Sequence, residues 1–508
     1  MPRVNLRSLP ELLLRGLFCA VPGHLSFGLI AAYVLSRSLR RGCATPQSLL
    51  PGALALKPKS CVPKSEKVEL QVALMALALL GCSSSPTLQP GVAIAPTLNV
   101  EAHPTWSDAW ILAHGTPYLD KVEVRRAGLE SALTDRTNLY SRTRLEDYAQ
   151  GTRGWDVLPV WNPRTVPLDA AAVRAMRAGE MPQIAVDAGP FFDGQRPTTW
   201  AAWSALGRRV FFTLPLRTET VWTSAVRDEA LGAQLGLAFD AEGTASGLVL
   251  ARDLDGETRV AITCALCHAA PSADGTMIAG RARRQLDYGL ARVAYAESIG
   301  RPLSEEARAR YTSWGRGRAD VLEEESDVPI AIPDLYGLRE EAWFTQGATL
   351  RHVSPLALAA RQETQFVQAN HLRTRPPREL VWALVIYLYS IEPPPRTRPA
   401  EPGIDEGQAL FGTHCAGCHR NAIGSGDPVE LSRIGTHAEL ASGSARGTGM
   451  YRPSPLVRVA DAAPYLHHGA VPTLQDLLDA NRTEPGHRFG VDLSGEEKGA
   501  LLAYLRSL

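Results

Sequence analysis

The chain has 508 residues, of which 45% are hydrophobic and 21% charged, so its composition is that of a folded globular protein and not of a disordered one. Its 53 Lys and Arg residues are balanced by 53 Asp and Glu residues. A net charge of zero supplies no strong positive field, and we therefore expect no nucleic acid among its partners.

The beginning of the chain has the layout of a secretory leader. A lysine-bearing segment precedes a short apolar run, Val72 to Leu80, which is followed by Gly81, Cys82 and three serines. The pattern resembles a bacterial lipoprotein signal, which implies that Cys82 is acylated and becomes the new N-terminus. We therefore expect residues 1–81 to be absent from the mature protein. The resemblance also implies an exported lipoprotein of the bacterial cell envelope, facing the periplasm or in the outer membrane, that meets the membrane through its lipid anchor.

An earlier apolar stretch leaves a second interpretation of the N-terminus open. The sequence "LFCAVPGHLSFGLIAAYVLS" is long enough for a membrane helix, but Pro22, Gly23 and His24 interrupt it. We favour a translation start near residues 60–68, so that this stretch does not belong to the mature protein.

The segment that follows the leader divides into a tether and a longer region of unknown role. Residues 82–100 are rich in Ser, Pro and Thr, which is typical of a flexible tether. Residues 101–255 contain seven of the ten tryptophans, and "RRVFFTLPL" and "GLVLARDL" are predicted strands. This region either forms a domain of its own or wraps around the motif that comes next.

The second part of the chain contains the pattern CxxCH twice. The two copies consist of Cys264, Cys267 and His268, and of Cys415, Cys418 and His419. The other four cysteines all lie within the first 82 residues, so none remains for a structural disulfide in the body of the protein.

A repeated helix pattern follows each copy of the motif. Residues 379–391 and 497–508 align as Ala-Leu-x-x-Tyr-Leu-x-Ser-Ile/Leu, and the apolar residues of the second run have helical spacing. Helix-start signals precede both runs, at Pro376-Pro377 and at Ser494. A proline-rich linker at residues 392–403 separates the repeats, which places a first domain at residues 256–391 and a second at 404–508.

The CxxCH pattern is compatible with three chemistries. It can place two thiols against the vinyl groups of a haem while the adjacent imidazole reaches the iron. A zinc site would have to pool both cysteine pairs and would leave the histidines unexplained, and a redox dithiol would need a βαβ context that is missing. The pattern therefore favours two covalently bound haem c groups, with His268 and His419 as proximal iron ligands.

Each repeat resembles a class I c-type cytochrome domain, which opens with a helix leading into CxxCH and closes with a helix carrying "ALxAYL". "DEGQALFGTHCAGCH" and "GALLAYLRSL" match both helices in the second repeat. In the first repeat "GETRVAITCALCH" is typical of a strand, so this repeat lacks an opening helix of its own. We expect residues 101–255 to supply the packing that the opening helix would provide. The resemblance implies a mainly α fold of two class I cytochrome c-like helical domains in tandem, preceded by a mixed or irregular N-terminal region.

A second resemblance is more specific. The stretch "YRPSPLVRVADAAPYLHHGAVPTLQDLL" is similar to the bacterial di-haem cytochrome c peroxidases and their MauG-like and rubber-oxygenase-like relatives. That group implies two covalent haems, one that mainly passes electrons and one that sometimes reacts with peroxide or oxygen. The position of the peroxidases' methionine ligand falls near Asn481, so this chain departs from the peroxidase pattern there.

The distal iron ligands are predicted from the class I resemblance, which places them about 17 residues before the tyrosine of the closing helix. Counting back from Tyr504 gives His487, and counting back from Tyr387 gives His371. Both histidines could instead be solvated loop residues, and the rivals for the distal positions are Met277, Met450 and His467.

Two functions follow from these interpretations. The first is electron transfer between redox protein partners in the cell envelope, and the alternative is a di-haem peroxidase or oxygenase. The histidines and the missing methionine favour electron transfer. A catalytic carboxylate cannot be chosen from the sequence, and Glu340, Glu341 and Glu363 are each predicted to be surface charges.

Overall fold

The computed structural model describes residues 106–149, 156–185, 187–320, 328–370, 373–395 and 401–508. All of them belong to one compact unit that spans residues 98–508. The predicted leader, the tether with Cys82, and His371 lie outside the described ranges. Within those ranges, every helix is too short or too polar to cross a bilayer.

Helices make up most of the regular structure. Those before the first motif are α1 (Asp108–Asp120), α2 (Val122–Ala132), α3 (Leu139–Ala149), α4 (Ala170–Arg177), α5 (Trp200–Thr213), α6 (Thr220–Arg227) and α7 (Glu229–Leu235). The first motif and its repeat contain α8 (Ala265–His268), α9 (Tyr288–Ser298), α10 (Glu305–Trp314), α11 (Pro355–Ala369) and α12 (Arg378–Tyr389). The second repeat contains α13 (Ile404–His414), α14 (Leu431–Ile434), α15 (Glu439–Ser442), a 3₁₀ turn (Val459–Asp461), α16 (Leu474–Leu477) and α17 (Gly495–Ser507).

The strands are short and antiparallel. One four-stranded sheet has the order β1-β3-β4-β2 and consists of β1 (Thr165–Pro167), β2 (Arg217–Thr218), β3 (Leu248–Arg252) and β4 (Thr258–Ile262). The others form two-stranded pairs: β5 (Ala269–Pro271) with β6 (Met277–Ala279), β7 (Arg318–Ala319) with β8 (Ile330–Ala331), β9 (Trp343–Phe344) with β10 (Leu350–Arg351), and β11 (Val429–Glu430) with β12 (Met450–Tyr451).

The two CxxCH motifs are reached differently. In the first, strand β4 ends at Ile262 and the chain turns into α8, as the strand prediction for this segment indicated. In the second, α13 runs directly into Cys415, as predicted for an opening helix. The predicted closing helices are present as α12 and α17, and α17 begins with a capping box between Ser494 and Glu497.

An opening helix is also present in the first repeat, but far upstream in the sequence. Helix α5 packs against α12 as α13 packs against α17. A side chain at Gly207 would overlap Ala383 and Tyr387, and one at Gly407 would overlap Ala500 and Tyr504. The two tyrosines and the two alanines are equivalent positions of the repeat, so the two helix pairs use the same close contact.

This helix corrects one prediction. The segment "RRVFFTLPL" was predicted to be a strand, yet Arg208–Thr213 belongs to α5. Its consecutive aromatic and β-branched residues favour a strand by propensity. The buried residues Trp203, Gly207, Val210 and Phe211 recur with helical spacing, and Thr199 caps the N-terminus. Packing against α12 therefore outweighs the local preference.

The main hydrophobic core joins residues 106–262 to the first repeat. Buried side chains of α1, α2, α5 and the four-stranded sheet belong to the same cluster as those of α11 and α12. The second repeat has a smaller core around Leu474, Leu501 and Leu505. Residues 106–262 therefore wrap around the first repeat and share its core.

Candidate functional site

The first CxxCH motif forms one wall of a cavity of about 210 Å³. Cys264, Cys267 and His268 line it from the turn that follows β4. Helices α11 and α12 line it with residues three or four positions apart, which are Leu358, Arg361, Gln362, Gln365, Leu384 and Leu388. The closing helix of the repeat therefore faces its own motif across the cavity.

The side chain of His268 is oriented by the backbone. Its Nδ1 lies 3.1 Å from the carbonyl oxygen of Pro333, so Nε2 is the nitrogen left for a metal. Burial lowers the pKa of His268 to about 4, which keeps the imidazole neutral, as an iron ligand must be. Burial also raises the pKa of the Cys264 and Cys267 thiols to about 12.

The second motif lines a cavity of about 300 Å³ with Cys415, Cys418 and His419. The Nδ1 atom of His419 lies 2.5 Å from the carbonyl oxygen of Gly424, and burial lowers the pKa of this imidazole. Each motif histidine therefore has one ring nitrogen engaged by a backbone carbonyl and the other available.

His487 shares this second cavity with His419. The centres of the two imidazole rings lie 6.4 Å apart, and the planes of the rings make an angle of 64°. Since a bond from a metal to an imidazole nitrogen is about 2 Å long, two imidazoles on opposite sides of one iron have ring centres roughly 6 Å apart. The separation of these two rings matches that requirement.

The backbone holds His487 in an uncommon conformation. Its φ of 47° lies in the left-handed region, and its N–H donates to the carbonyl oxygen of Ile434 at 2.9 Å. Burial lowers the pKa of the imidazole to about 4. A non-glycine residue held in this way, with a neutral ring directed into a cavity, is typical of a functional position.

The rival distal ligands lie in different places. His467 lines the second cavity, where its Nε2 is 3.3 Å from the hydroxyl of Tyr451. Met277 lies on β6 and Met450 on β12, and neither lines the first or the second cavity. Because His371 lies outside the described residues, the structure brings one predicted distal histidine, His487, opposite a motif histidine.

The structure also bears on the zinc and dithiol alternatives. No disulfide joins the four motif cysteines, and among the described residues no group of three potential metal ligands includes a cysteine. The two pairs therefore do not pool into a zinc site. A redox dithiol needs a lowered thiol pKa, whereas burial raises the pKa of Cys264, Cys267 and Cys415.

Arginines on the wall of the first cavity were missed by sequence reasoning. The residues concerned are Arg144, Arg361, Arg446 and Arg452. Burial lowers the pKa of Arg361, whose hydrogen bond to Gln365 Oε1 is long at 3.4 Å. Cations at the wall of an enclosed cavity suit the two propionate groups of a haem. No local pattern marks these arginines, because they come from α3, from α11 and from the segment around β12.

The two cavities share part of their walls. The residues that line both are Ile332, Pro333, Asp334, Gln346 and Arg452. Pro333 is also the residue whose carbonyl oxygen contacts His268. His268 is therefore hydrogen-bonded to a residue, Pro333, that also forms part of the wall of the second cavity.

Two of the three glutamates considered above are not surface charges. Glu341 is 3% exposed and pairs with Arg452, and Glu363 is fully buried and contacts Arg378 and Tyr118. Only Glu340 is exposed, as predicted. Glu341 lines the first cavity and Glu363 does not. The prediction failed because the neighbouring sequence does not reveal the distant arginines that neutralise these carboxylates.

Comparison with known proteins supports the cytochrome character of the second repeat. Residues 449–485 match the model of the family described as RoxA-like, cytochrome c-like. A search of the curated proteins gave no match.

Similar solved structures include "a MauG-like protein associated with microbial copper homeostasis", with 13% identity, a TM-score of 0.30, and coverage of 64% of this chain and 91% of that one. Another is the hydrazine synthase of Kuenenia stuttgartiensis, with 16% identity, a TM-score of 0.30, and coverage of 65% and 98%. The family match and the two motifs together identify the chain as a haem-containing redox protein with a cytochrome c-like domain and covalently bound haem c.

Proposed function

We propose that the chain is a di-haem c-type cytochrome that transfers electrons between redox protein partners in the bacterial cell envelope. One haem c is attached at Cys264 and Cys267 and the other at Cys415 and Cys418. When bound, each haem supplies an iron that takes up and releases one electron. The observation that carries the proposal is the wall shared by the two cavities.

The shared wall gives electrons a short connection between the sites. His268 contacts the carbonyl oxygen of Pro333, and Pro333 and Asp334 line both cavities. The contacts of Arg452 support the same arrangement, since this buried cation lines both cavities and pairs with Glu341. Groups from both repeats therefore meet at this boundary.

The second cavity supports a site that only transfers electrons. His419 and His487, with ring centres 6.4 Å apart, would both hold the iron of a haem bound here, and a site held by two imidazoles would leave no position for oxygen or peroxide. We propose His371 for the corresponding role in the first cavity, from its equivalent place in the repeat. Lipidation at Cys82 and export to the envelope are part of the proposal on the basis of the leader sequence alone.

One observation favours a second candidate function, a peroxidase or oxygenase that reacts at the first cavity. Among its described lining residues, His268 is the only histidine, and methionine is absent. The face of α11 instead presents Arg361, Gln362 and Gln365, polar groups that can donate hydrogen bonds to a bound oxygen species. The two candidates therefore differ in whether His371 fills the remaining position.

Carbon monoxide distinguishes the candidates, because it binds a reduced haem whose distal position is open or weakly held. For electron transfer we expect low-spin electron paramagnetic resonance signals from both haems, no binding of carbon monoxide, and no turnover of hydrogen peroxide. His371→Ala should then make one haem bind carbon monoxide, and His487→Ala should do the same for the other. His114→Ala, which removes a histidine that stacks on Trp110 and lines neither cavity, is the matched control.

Each other outcome has a definite meaning. One carbon monoxide bound per wild-type chain, with rapid peroxide turnover by a reduced cytochrome donor, would establish the second candidate. Unchanged low-spin signals in both His371→Ala and His487→Ala would show that neither histidine is an iron ligand. Electron transfer would then lose the support that comes from an iron with both ligand positions filled.

A further inference from the structure

Three potential metal ligands converge beside the second cavity without lining it. His437 precedes α15, His468 lies in the turn after His467, and Glu484 lies in the loop that carries His487. The Nε2 atom of His437 is 2.9 Å from Glu484 Oε1, and the Nε2 atom of His468 is 2.6 Å from the same oxygen. All three ligand atoms lie within 4.8 Å of one another.

The surrounding contacts hold these three loops in place. The hydroxyl of Tyr451 donates to the carbonyl oxygen of His437 at 2.6 Å. The ring of His468 stacks on that of His467 with a separation of 4.3 Å between ring centres. In the third loop, Gly486 lies so close to Thr436 that a side chain there would clash. The ligand positions are therefore set by packing and not only by the hydrogen bonds among the ligands.

We propose that His437, His468 and Glu484 bind a divalent first-row transition metal ion of the Zn²⁺ and Cu²⁺ class. Two imidazoles and one carboxylate suit these ions, and water completes the coordination. Calcium and magnesium prefer sets composed of oxygen ligands, which this cluster does not provide. The site is separate from the haem attachment residues.

A second carboxylate supports a metal-binding role for His437. Glu439 Oε2 lies 4.0 Å from the Nδ1 atom of His437, while the Nε2 atom faces Glu484. A metal-bound histidine usually has its other ring nitrogen near a carboxylate, a carbonyl or water, which fixes the orientation of the ring. At 4.0 Å Glu439 makes an ion-pair contact and not a hydrogen bond, and a rotation of its exposed side chain would bring it within hydrogen-bond distance of Nδ1.

Metal binding at this site would connect the loop of His487 to two other loops. Glu484 lies three residues before His487, and His468 is adjacent to His467 in the wall of the second cavity. An ion shared by His437, His468 and Glu484 would therefore fix the segment that places His487 opposite His419.

The test is a calorimetric titration of the haem-loaded full chain with Zn²⁺, which is redox-inert and does not absorb in the visible range. We expect one tight site per chain. His437→Ala and Glu484→Gln should each weaken binding by more than about tenfold, because loss of a group that merely hydrogen-bonds to a metal ligand already costs about 10–100-fold in affinity. Glu439→Gln should have a smaller effect, and His114→Ala should leave the affinity unchanged.

Two results would overturn the proposal. One is equal Zn²⁺ affinity in the wild type, His437→Ala and Glu484→Gln, and the other is loss of binding in His114→Ala. If a variant does not fold, the wild type still tests the site, because a ligand of the folded state must raise the unfolding temperature. No rise with Zn²⁺ in excess would exclude a tight site. An unchanged haem spectrum during the titration shows that Zn²⁺ has not displaced an iron ligand.

Discussion

Glu363 shows how a single residue can combine burial with charge. It is fully buried on α11, where it accepts hydrogen bonds from Tyr118 at 2.9 Å and from Arg378 at 3.0 Å. Arg378 also pairs with Asp156 at 2.6 Å, and Asp156 pairs with the buried Arg125. Glu363 thereby joins α1, α11 and α12, and it does not line the first cavity.

Glu363→Gln should therefore destabilise the protein without altering the haem spectra. Removing one partner of a buried ion pair costs about 3–5 kcal/mol, and we expect the lower value of about 3 kcal/mol because Arg378 keeps Asp156. Chemical denaturation monitored by circular dichroism measures the change. Glu340→Gln is the matched control, since the same substitution at an exposed glutamate should change the stability by less than about 0.5 kcal/mol. A spectral change in Glu363→Gln at full stability would assign the residue to the cavity instead.

Residues could be predicted from the sequence where chemistry fixes their spacing. The motif residues and His487 were predicted in this way, because the spacing of the motif is local and the place of His487 follows from the repeat, and the structure puts His419 and His487 in the wall of one cavity. Arg361 and Arg452 were not found, since a cavity wall gathers side chains that are distant in sequence. The buried state of Glu341 was missed for the same reason, because its partner Arg452 is remote along the chain.

At the scale of helices, the repeated element is a crossed pair held by a glycine. Gly407 on α13 lies against the backbone of Ala500 and the side chain of Tyr504 on α17, and Gly207 on α5 lies against Ala383 and Tyr387 on α12. The closing helices were predictable because both carry the repeat in sequence. The opening helix α5 was not predictable, since α6, α7, β3 and β4 lie between it and its motif along the chain. Its aromatic residues also favour a strand by propensity.

Gly407→Ala and Gly207→Ala should each force their helix pair apart. Overpacking a tight contact costs about 1–3 kcal/mol, so we expect a lower midpoint of chemical denaturation for both variants. Gly412→Ala on α13 is the matched control, because a side chain at this exposed position meets no other atoms. It should be neutral or stabilise the protein by up to about 1 kcal/mol through helix propensity. Equal effects of Gly407→Ala and Gly412→Ala would show that the contact is not tight.

At the scale of the whole molecule, each half completes the cavity of the other. Leu440, Arg446 and Arg452 of the second repeat line the first cavity, and Ile332 and Gln346 of the first repeat line the second. Tandem domains joined by a linker were the expectation from the sequence, because a repeat pattern reveals the units but not the surface between them. Because each cavity has residues of both repeats in its wall, the two repeats form one structural unit and not two independent domains.

Polar contacts strengthen this junction. Arg446 pairs with Asp320 at 3.1 Å, and both side chains are buried. Arg318 donates to the carbonyl oxygen of Gly469 at 2.9 Å, and Asn138 donates to that of Gly447 at 3.1 Å. Because burial protects such pairs from screening, the junction should persist at high salt.

Cutting the chain between the repeats tests this interpretation. If residues 396–400 are replaced by a protease site and cleaved in the haem-loaded protein, we expect both pieces to elute together from a size-exclusion column in 1 M salt with unchanged haem spectra. Asp320→Asn in the same cleaved protein should loosen the association, since it leaves Arg446 buried beside a neutral partner. Separate elution of a second piece that keeps its haem spectrum would instead support two independent tandem domains, and electron transfer between the haems would then depend on the linker.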